Sequence, residues 1–203
     1  MSRVASNLHV DGTLTAKKMV PAANNVEASH LTATLATGQI QLPLVDWREL
    51  VSADIDTAAT GAAKGSGGIL AKDTTPILER VNVGTDPMLR IKWAAGNTDA
   101  ITMSVVSPVD LDEAKVVTVK LRAKMSGATD TPTVTVDMRE DVGGANIGGA
   151  TGALSNTLAT VSKTVTATAS TTTLKAWTLT FTPGTHATDA VELYAAWLEY
   201  SRK

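Results

Sequence analysis

From about residue 85 onward the chain alternates apolar and polar residues with a period of two, a pattern that restricts it to half-buried β-strands. The clearest run is Val117-Thr118-Val119-Lys120-Leu121-Arg122-Ala123-Lys124-Met125, apolar at every odd position and polar or basic at every even one, apart from Ala123's small side chain counting with the apolar set. A slip of one residue would expose that whole set, so burial fixes the register. Leu89, Ile91 and Trp93 share one face of a strand, as do Ile101, Met103 and Val105, and the two strands are expected in one half-buried sheet. Val134, Val136 and Met138 alternate likewise after a turn over 126–132, which predicts a hairpin with the 117–125 strand. A Thr/Ser/Val stretch over 158–168 is weakly apolar and suits a sheet edge, and Leu174 to Thr182 puts Trp177, Leu179 and Phe181 on one face. Val191 to Tyr200 is apolar on both faces, as a central strand or a subunit contact is, which makes Tyr194, Trp197, Leu198 and Tyr200 the candidate subunit interface. Trp93, Trp177 and Trp197 fall at inward positions and are expected in the core, where aromatic rings bury the most area. Short strands separated by Gly, Pro and Asp loops make residues 85–203 an all-β, antiparallel β-sandwich, jelly-roll-like in preference to immunoglobulin-like.

Residues 1–84 follow no sustained period and are read as an extended N-terminal arm. Leu8, Val10 and Leu14 flank an Asp11-Gly12 pair suited to a small hairpin, and Val26 to Leu35 allows a weak helical turn. Leu42, Leu44, Val45, Trp47 and Leu50 form the arm's apolar cluster around its only aromatic. Thr57 to Gly68 is almost wholly Ala, Thr, Gly and Ser and is expected to serve as a flexible joint. With no core of its own in view, the arm is expected to bury Leu8, Val10, Leu14, Leu42, Leu44, Val45, Trp47 and Leu50 against a partner, with Trp47 as the anchor. Aromatics make up only 3% of the chain, so large core-fillers are scarce and partner surfaces are the natural supplement.

Chemistry is hard to find. No cysteine is present, which removes disulfides, thiolate metal sites and cysteine nucleophiles. His9, His30 and His186 are far apart and form no ligand pair, so they are read as solvated or capping. The acidic clusters Asp110 to Glu113 and Asp137 to Asp141 lack the spacing of a calcium loop, and Arg139 neutralises the second. The Gly-rich stretch 143–152 lacks the Lys-Ser/Thr ending of a phosphate loop. The expectation is therefore a non-enzyme with no cofactor and no metal. A net charge of −2 gives no overall basic field, and Lys120, Arg122 and Lys124 lack interleaved aromatics, so neither nucleic acid nor membrane is an expected partner.

Ser6-Asn7-Leu8-His9-Val10-Asp11-Gly12-Thr13-Leu14-Thr15-Ala16-Lys17-Lys18 resembles the opening of tailed-bacteriophage virion proteins of the capsid decoration (cement) or head-fibre type. Val134-Thr135-Val136-Asp137-Met138-Arg139 is similar to a strand of their outer domains. The resemblance implies a homotrimer on the virion capsid surface, made in the host cytoplasm, whose arms clamp the major capsid protein while the sandwiches face outward. The alternative with the same plan is a tail-fibre, tailspike or baseplate adaptor with a receptor-binding sandwich. The loops at 126–131, 143–152 and 183–189 contain no aromatic residue, which favours the shell role.

Overall fold

The computed structural model describes residues 36–49, 70, 76–83, 86–141, 143–166 and 174–203. Among these lie eleven strands: β1 (Thr37–Gln41), β2 (Arg48–Glu49), β3 (Ile77–Val83), β4 (Asp86–Trp93), β5 (Ile101–Val106), β6 (Val116–Met125), β7 (Val134–Glu140), β8 (Gly149–Ala150), β9 (Ala159–Thr166), β10 (Ala176–Pro183) and β11 (Val191–Ser201). They form two antiparallel sheets, one ordered β3-β4-β11-β6-β9 with β1 also on β11, the other β2-β5-β10-β7-β8. From β4 to β11 the chain changes sheet at every connection except β7 to β8, which is jelly-roll wiring.

The alternation read in the sequence lies where expected over most of its length, although Leu89, grouped with the buried Ile91 and Trp93, is exposed. In β6 the buried residues are Val117, Val119, Leu121, Ala123 and Met125, and in β7 the buried apolar ones are Val134, Val136 and Met138, with Glu140 buried at its end. These inner faces meet Ile91, Trp93, Ile101, Trp177, Leu179, Phe181 and Leu198 in one core. The weakly apolar β9 is an edge strand, as its composition predicts. Two expected pairings do not form. β6 and β7 are not a hairpin, since β6 pairs with β11 and β9 while β7 pairs with β10 and β8; β4 and β5 likewise lie in opposite sheets. Periodicity records which face of a strand is buried but not which strand lies beside it, so neighbours in sequence were mistaken for neighbours in space.

β11 carries a bulge between Leu193 and Ala195 that shifts its inward phase. Val191 and Leu193 point inward before it; Ala196, Leu198 and Tyr200 do so after it. The apparent two-faced character of this strand is therefore one buried face that changes parity. Leu198 and Tyr200, expected at a subunit contact, are buried within their own chain. Trp197, expected in the core, moves to the outer face and is half-buried there, as is Tyr194.

The boundary expected at residue 84 also moves. β4 pairs with β11 only at Ile91, Lys92 and Trp93, and β1 takes the remaining edge, from Thr37 opposite Ser201 to Gln41 opposite Trp197. Leu42 N extends this ladder to Ala196 O at 3.0 Å. A short 3-10 turn at Leu44–Asp46 follows, and Arg48–Glu49 then joins β5 in the other sheet. Residues 37–49 thus form a strap that crosses between the sheets and belongs to the sandwich, and β3 does too. Trp47, assigned to partner binding on sequence grounds, is 1% exposed with its ring 4.2 Å from that of Phe181. Leu42 is buried and Leu44 packs on the core; among the described residues of this cluster only Val45 is exposed. Sequence reasoning missed this because the core Trp47 enters is built by strands that lie ~50 residues or more further along, and such non-local closure leaves no local pattern.

Replacing Trp47 by Ala should lower the unfolding free energy of the free protein by about 3–5 kcal/mol, the usual cost of deleting a buried large aromatic. Urea denaturation of the isolated chain measures it. A change below ~1 kcal/mol would place the indole outside the core.

Candidate functional site

The first region with functional bearing is the end of the sandwich where the chain enters β1. Arg202 N donates to Ala36 O at 2.8 Å, so the last residues of the chain hold the entry point. Across from it, Gly38 lies against the ring of Tyr200, and a Cβ added at Gly38 would overlap that ring. Tyr200 donates its hydroxyl to Asp110 Oδ1 at 2.9 Å, and Asp110 accepts Lys203 N on its carbonyl at 2.8 Å and pairs with Arg202 at 3.3 Å. Burial and the Asp110 carboxylate push the Tyr200 phenol up from its ordinary value. Asp112 Oδ1 accepts Ala114 N at 3.0 Å, and Glu113 lies 3.9 Å from Lys203. The acidic cluster at 110–113 therefore organises the loop and the chain end around β1, which is the bland reading of those residues.

The second acidic cluster is also engaged in structure. Asp141 Oδ1 accepts Ala176 N at 3.1 Å, and Glu140 meets Lys175 at 3.2 Å. Arg139 does not neutralise its acidic neighbours by an ion pair; its Nη1 donates to Gly144 O at 3.0 Å. Asn146 Oδ1 accepts Met138 N at 3.1 Å and Gly148 N at 2.8 Å, which pins the Gly-rich loop to β7.

At the opposite end of the sandwich the loops between β6 and β7 and between β10 and β11 exchange carboxylate caps. Asp130 Oδ2 accepts Thr188 N at 2.7 Å and Asp189 N at 2.8 Å, while Asp189 Oδ2 accepts Thr129 N at 2.7 Å and Asp130 N at 3.0 Å. The backbone N–H of Asp189, then that of Thr188, holds the Asp130 carboxyl below its ordinary value, with the His186 ring contributing. His186 is buried, with Nδ1 2.8 Å from Gly184 O and Nε2 3.1 Å from Ala94 O, so it ties the β4–β5 loop to the β10–β11 loop rather than standing solvated. His9 and His30 lie outside the described residues. Among the described residues no group of three or more His, Cys, Asp or Glu side chains is placed to hold a metal ion.

The third region is the outer face of the β11-centred sheet. Arg90 pairs with Glu79 and with Glu192, the latter at 2.6 Å, and Lys124 lies 3.6 Å from Glu192. Tyr194 donates its hydroxyl to Glu192 Oε2 at 2.8 Å. Further along, Lys120 meets Glu199 at 2.6 Å, Trp197 Nε1 donates to Glu199 Oε1 at 3.0 Å, and Gln39 reaches the same oxygen at 3.3 Å. The Lys120 ammonium, then the Trp197 N–H, holds the Glu199 carboxyl below its ordinary value. The basic face of β6, expected to lack interleaved aromatics, in fact has Trp197 directly beside Lys120 and Tyr194 close by. The bulge is responsible, and no signal in local alternation announces it beyond the loss of phase at Tyr194-Ala195-Ala196.

The remaining sequence candidates do not converge on one site. Leu42, Trp47, Leu198 and Tyr200 are core residues, Leu44 packs on the core, Val45 is exposed, and Tyr194 and Trp197 share the outer face. Leu8, Val10, Leu14 and Leu50 lie outside the described residues, together with the expected hairpin, helical turn and Gly/Ala joint.

No protein-family model matches the chain. No curated protein matches it either. Solved structures similar to it include one described as "CBM4 structure and function", at 15% identity and TM-score 0.40, covering 62% of this chain and 78% of that one. Another is the N-terminal cellulose-binding domain of Cellulomonas fimi β-1,4-glucanase C, at 18% identity and TM-score 0.34, covering 56% and 75%. The enzymatically active domain of bacteriophage CBA120 tailspike protein 4 aligns at 9% identity and TM-score 0.31, covering 58% of this chain and 16% of that one.

Two outcomes follow from this geometry. Gly38→Ala should drive the Tyr200 ring from its place and break its bond to Asp110, which amide exchange would register as faster exchange along β1; unchanged protection of β1 would contradict the close packing. The depressed Asp130 carboxyl contributes stability that is present above the ordinary carboxylate range and lost as pH falls through its lower native value. Asp130→Ala should therefore flatten the acid limb of stability against pH, read from urea midpoints, and an unaltered limb would deny Asp130 that part.

Proposed function

We propose that the protein is a virion structural component that decorates and stabilises a bacteriophage capsid, its N-terminal segment holding capsid subunits and its sandwich turned outward. The observation that carries this reading is the strap. The described core is filled by residues from Leu42 to Tyr200, and the sequence before residue 36 carries further apolar side chains, Leu8, Val10 and Leu14. The segment that bears them runs directly into β1, which is laddered to β11 over five residue pairs. Tension applied along the axis of β1 would load the β1–β11 hydrogen bonds in shear, together rather than one by one. A tether that must hold against pressure from packed DNA needs such a junction, and it needs no catalytic group. Trimeric assembly on the shell would multiply each weak contact through effective concentration.

The test uses shells purified from particles that carry this protein and then stripped of it. The full chain should co-sediment with the shells, and a chain beginning at residue 36 should stay in the supernatant while keeping the thermal midpoint of the full chain. Equal co-sedimentation of the two chains would refute the tether, and immunogold label on tails instead of heads would refute the capsid assignment.

A further inference from the structure

Two partly exposed aromatic side chains stand on an outer sheet face that is richer in positive charge than the chain as a whole. Tyr194 and Trp197 are separated by the bulge and by Ala195, whose cross-strand partner on β6 is Arg122. At about 3.3 Å per residue the two aromatics are about 10 Å apart along the strand, with a methyl group between them and a guanidinium beside it. Around them the described side chains of the face include Arg90, Lys92, Lys120, Arg122 and Lys124 against Glu79, Glu192 and Glu199, in a chain whose acidic residues outnumber its basic ones. Each of the three carboxylates is already paired, Glu79 and Glu192 with Arg90, Glu192 also with Lys124, and Glu199 with Lys120. Arg122 is exposed and makes no ion pair among the described residues. The Arg122 guanidinium thus lies beside the gap between the two rings.

We infer that this face binds an acidic polysaccharide strand, one pyranose ring lying on Trp197, the next over Ala195 toward Tyr194, and a carboxylate of the ligand on Arg122. A pyranose offers an apolar C–H face and a rim of hydroxyls, and a half-exposed indole matches the first. The second needs side chains that both donate and accept within reach of the ring, which Gln39, Gln41, Lys120 and Glu199 supply around Trp197. A free guanidinium takes a carboxylate through two parallel N–H bonds, which selects acidic sugars over neutral ones. Single-stranded DNA also combines stacking with cations, but its backbone offers no hydroxyl donor to Glu199, whereas the hydroxyls of a pyranose donate to that carboxylate. The inference rests on Trp197 and Arg122 and is independent of the capsid tether, since neither residue lies on the N-terminal segment.

Affinity electrophoresis of the full chain through gels containing polygalacturonate, alginate or hyaluronate, with dextran as the neutral polymer, tests it. At least one acidic polymer should retard the protein and dextran should not. Trp197→Ala should abolish the retardation, and Arg122→Ala should weaken it by ~10-fold, about 1.4 kcal/mol. Arg122 is exposed, so its variant keeps the fold and decides the matter if Trp197→Ala does not fold, thermal melting being the check on both. Absence of retardation by all three acidic polymers, or retardation unchanged in folded Arg122→Ala, would overturn the inference. Tighter, Trp197-dependent binding of an oligothymidylate than of any of the polymers would overturn it in favour of nucleic acid.

Discussion

The structure depends on how β11 shares one of its edges. β4 leaves that edge after three residue pairs, and a central strand cannot leave its N–H and C=O groups bare between two sheets without losing the hydrogen bonds that water would otherwise supply. β1 supplies the missing ladder, and because it comes from the N-terminal part of the chain, the segment after it is forced across the open side of the sandwich to β5. Leu42 and Trp47 are delivered into the core by that crossing. One pairing requirement in the six-stranded sheet thus explains why a stretch with no strand periodicity of its own ends up in the interior.

The bulge in β11 is the second consequence of the same strand. Opposite β4 its inward residues are Val191 and Leu193; opposite β1 they are Ala196, Leu198 and Tyr200. Without the extra residue, Glu192 and Trp197 could not both face outward, and the ion pairs of Glu192 with Arg90 and Lys124 would compete with the core. Replacing either partner of such a half-buried set leaves the other charge poorly solvated, which is why this face is more tightly specified than an ordinary solvated sheet surface. The density of its contacts also explains the near-complete burial of Glu192 on a face that no sheet covers among the described residues.

What the sequence made legible follows from the range of each interaction. Alternation is local, so the strands β4 to β7 and β9 to β11, most of their buried faces and the edge position of β9 could be read from residues such as Val117, Val119 and Leu121, whereas β8 lies in a stretch read as a Gly-rich loop. Sheet order is non-local, so β6 and β7 looked like a hairpin although their turn carries the chain from one sheet to the other. Trp47 looked unsupported for the same reason: its neighbour Phe181 is too far along the chain for any window to join them. Trp197 was misplaced by a single inserted residue, because parity reasoning carries no error correction after a bulge.

These misreadings bear on the division between tether and sandwich. If the whole apolar cluster from Leu42 to Trp47 had belonged to a free arm, that arm would have held enough apolar surface to bind a partner through one aromatic anchor, and attachment would have depended on a single hot spot. The strap withdraws Leu42 and Trp47 from that role and commits them to the chain's own stability. Under the proposed function, the side chains offered to an outside surface are Leu8, Val10, Leu14 and similar aliphatic ones, each worth only ~1.5–3 kcal/mol even when fully buried. An attachment built from such contacts is weak per copy and gains strength only by repetition across a symmetric shell, where every copy is held while its neighbours rebind. On the proposed reading, such a segment fits a lattice of many equivalent sites better than a solitary receptor.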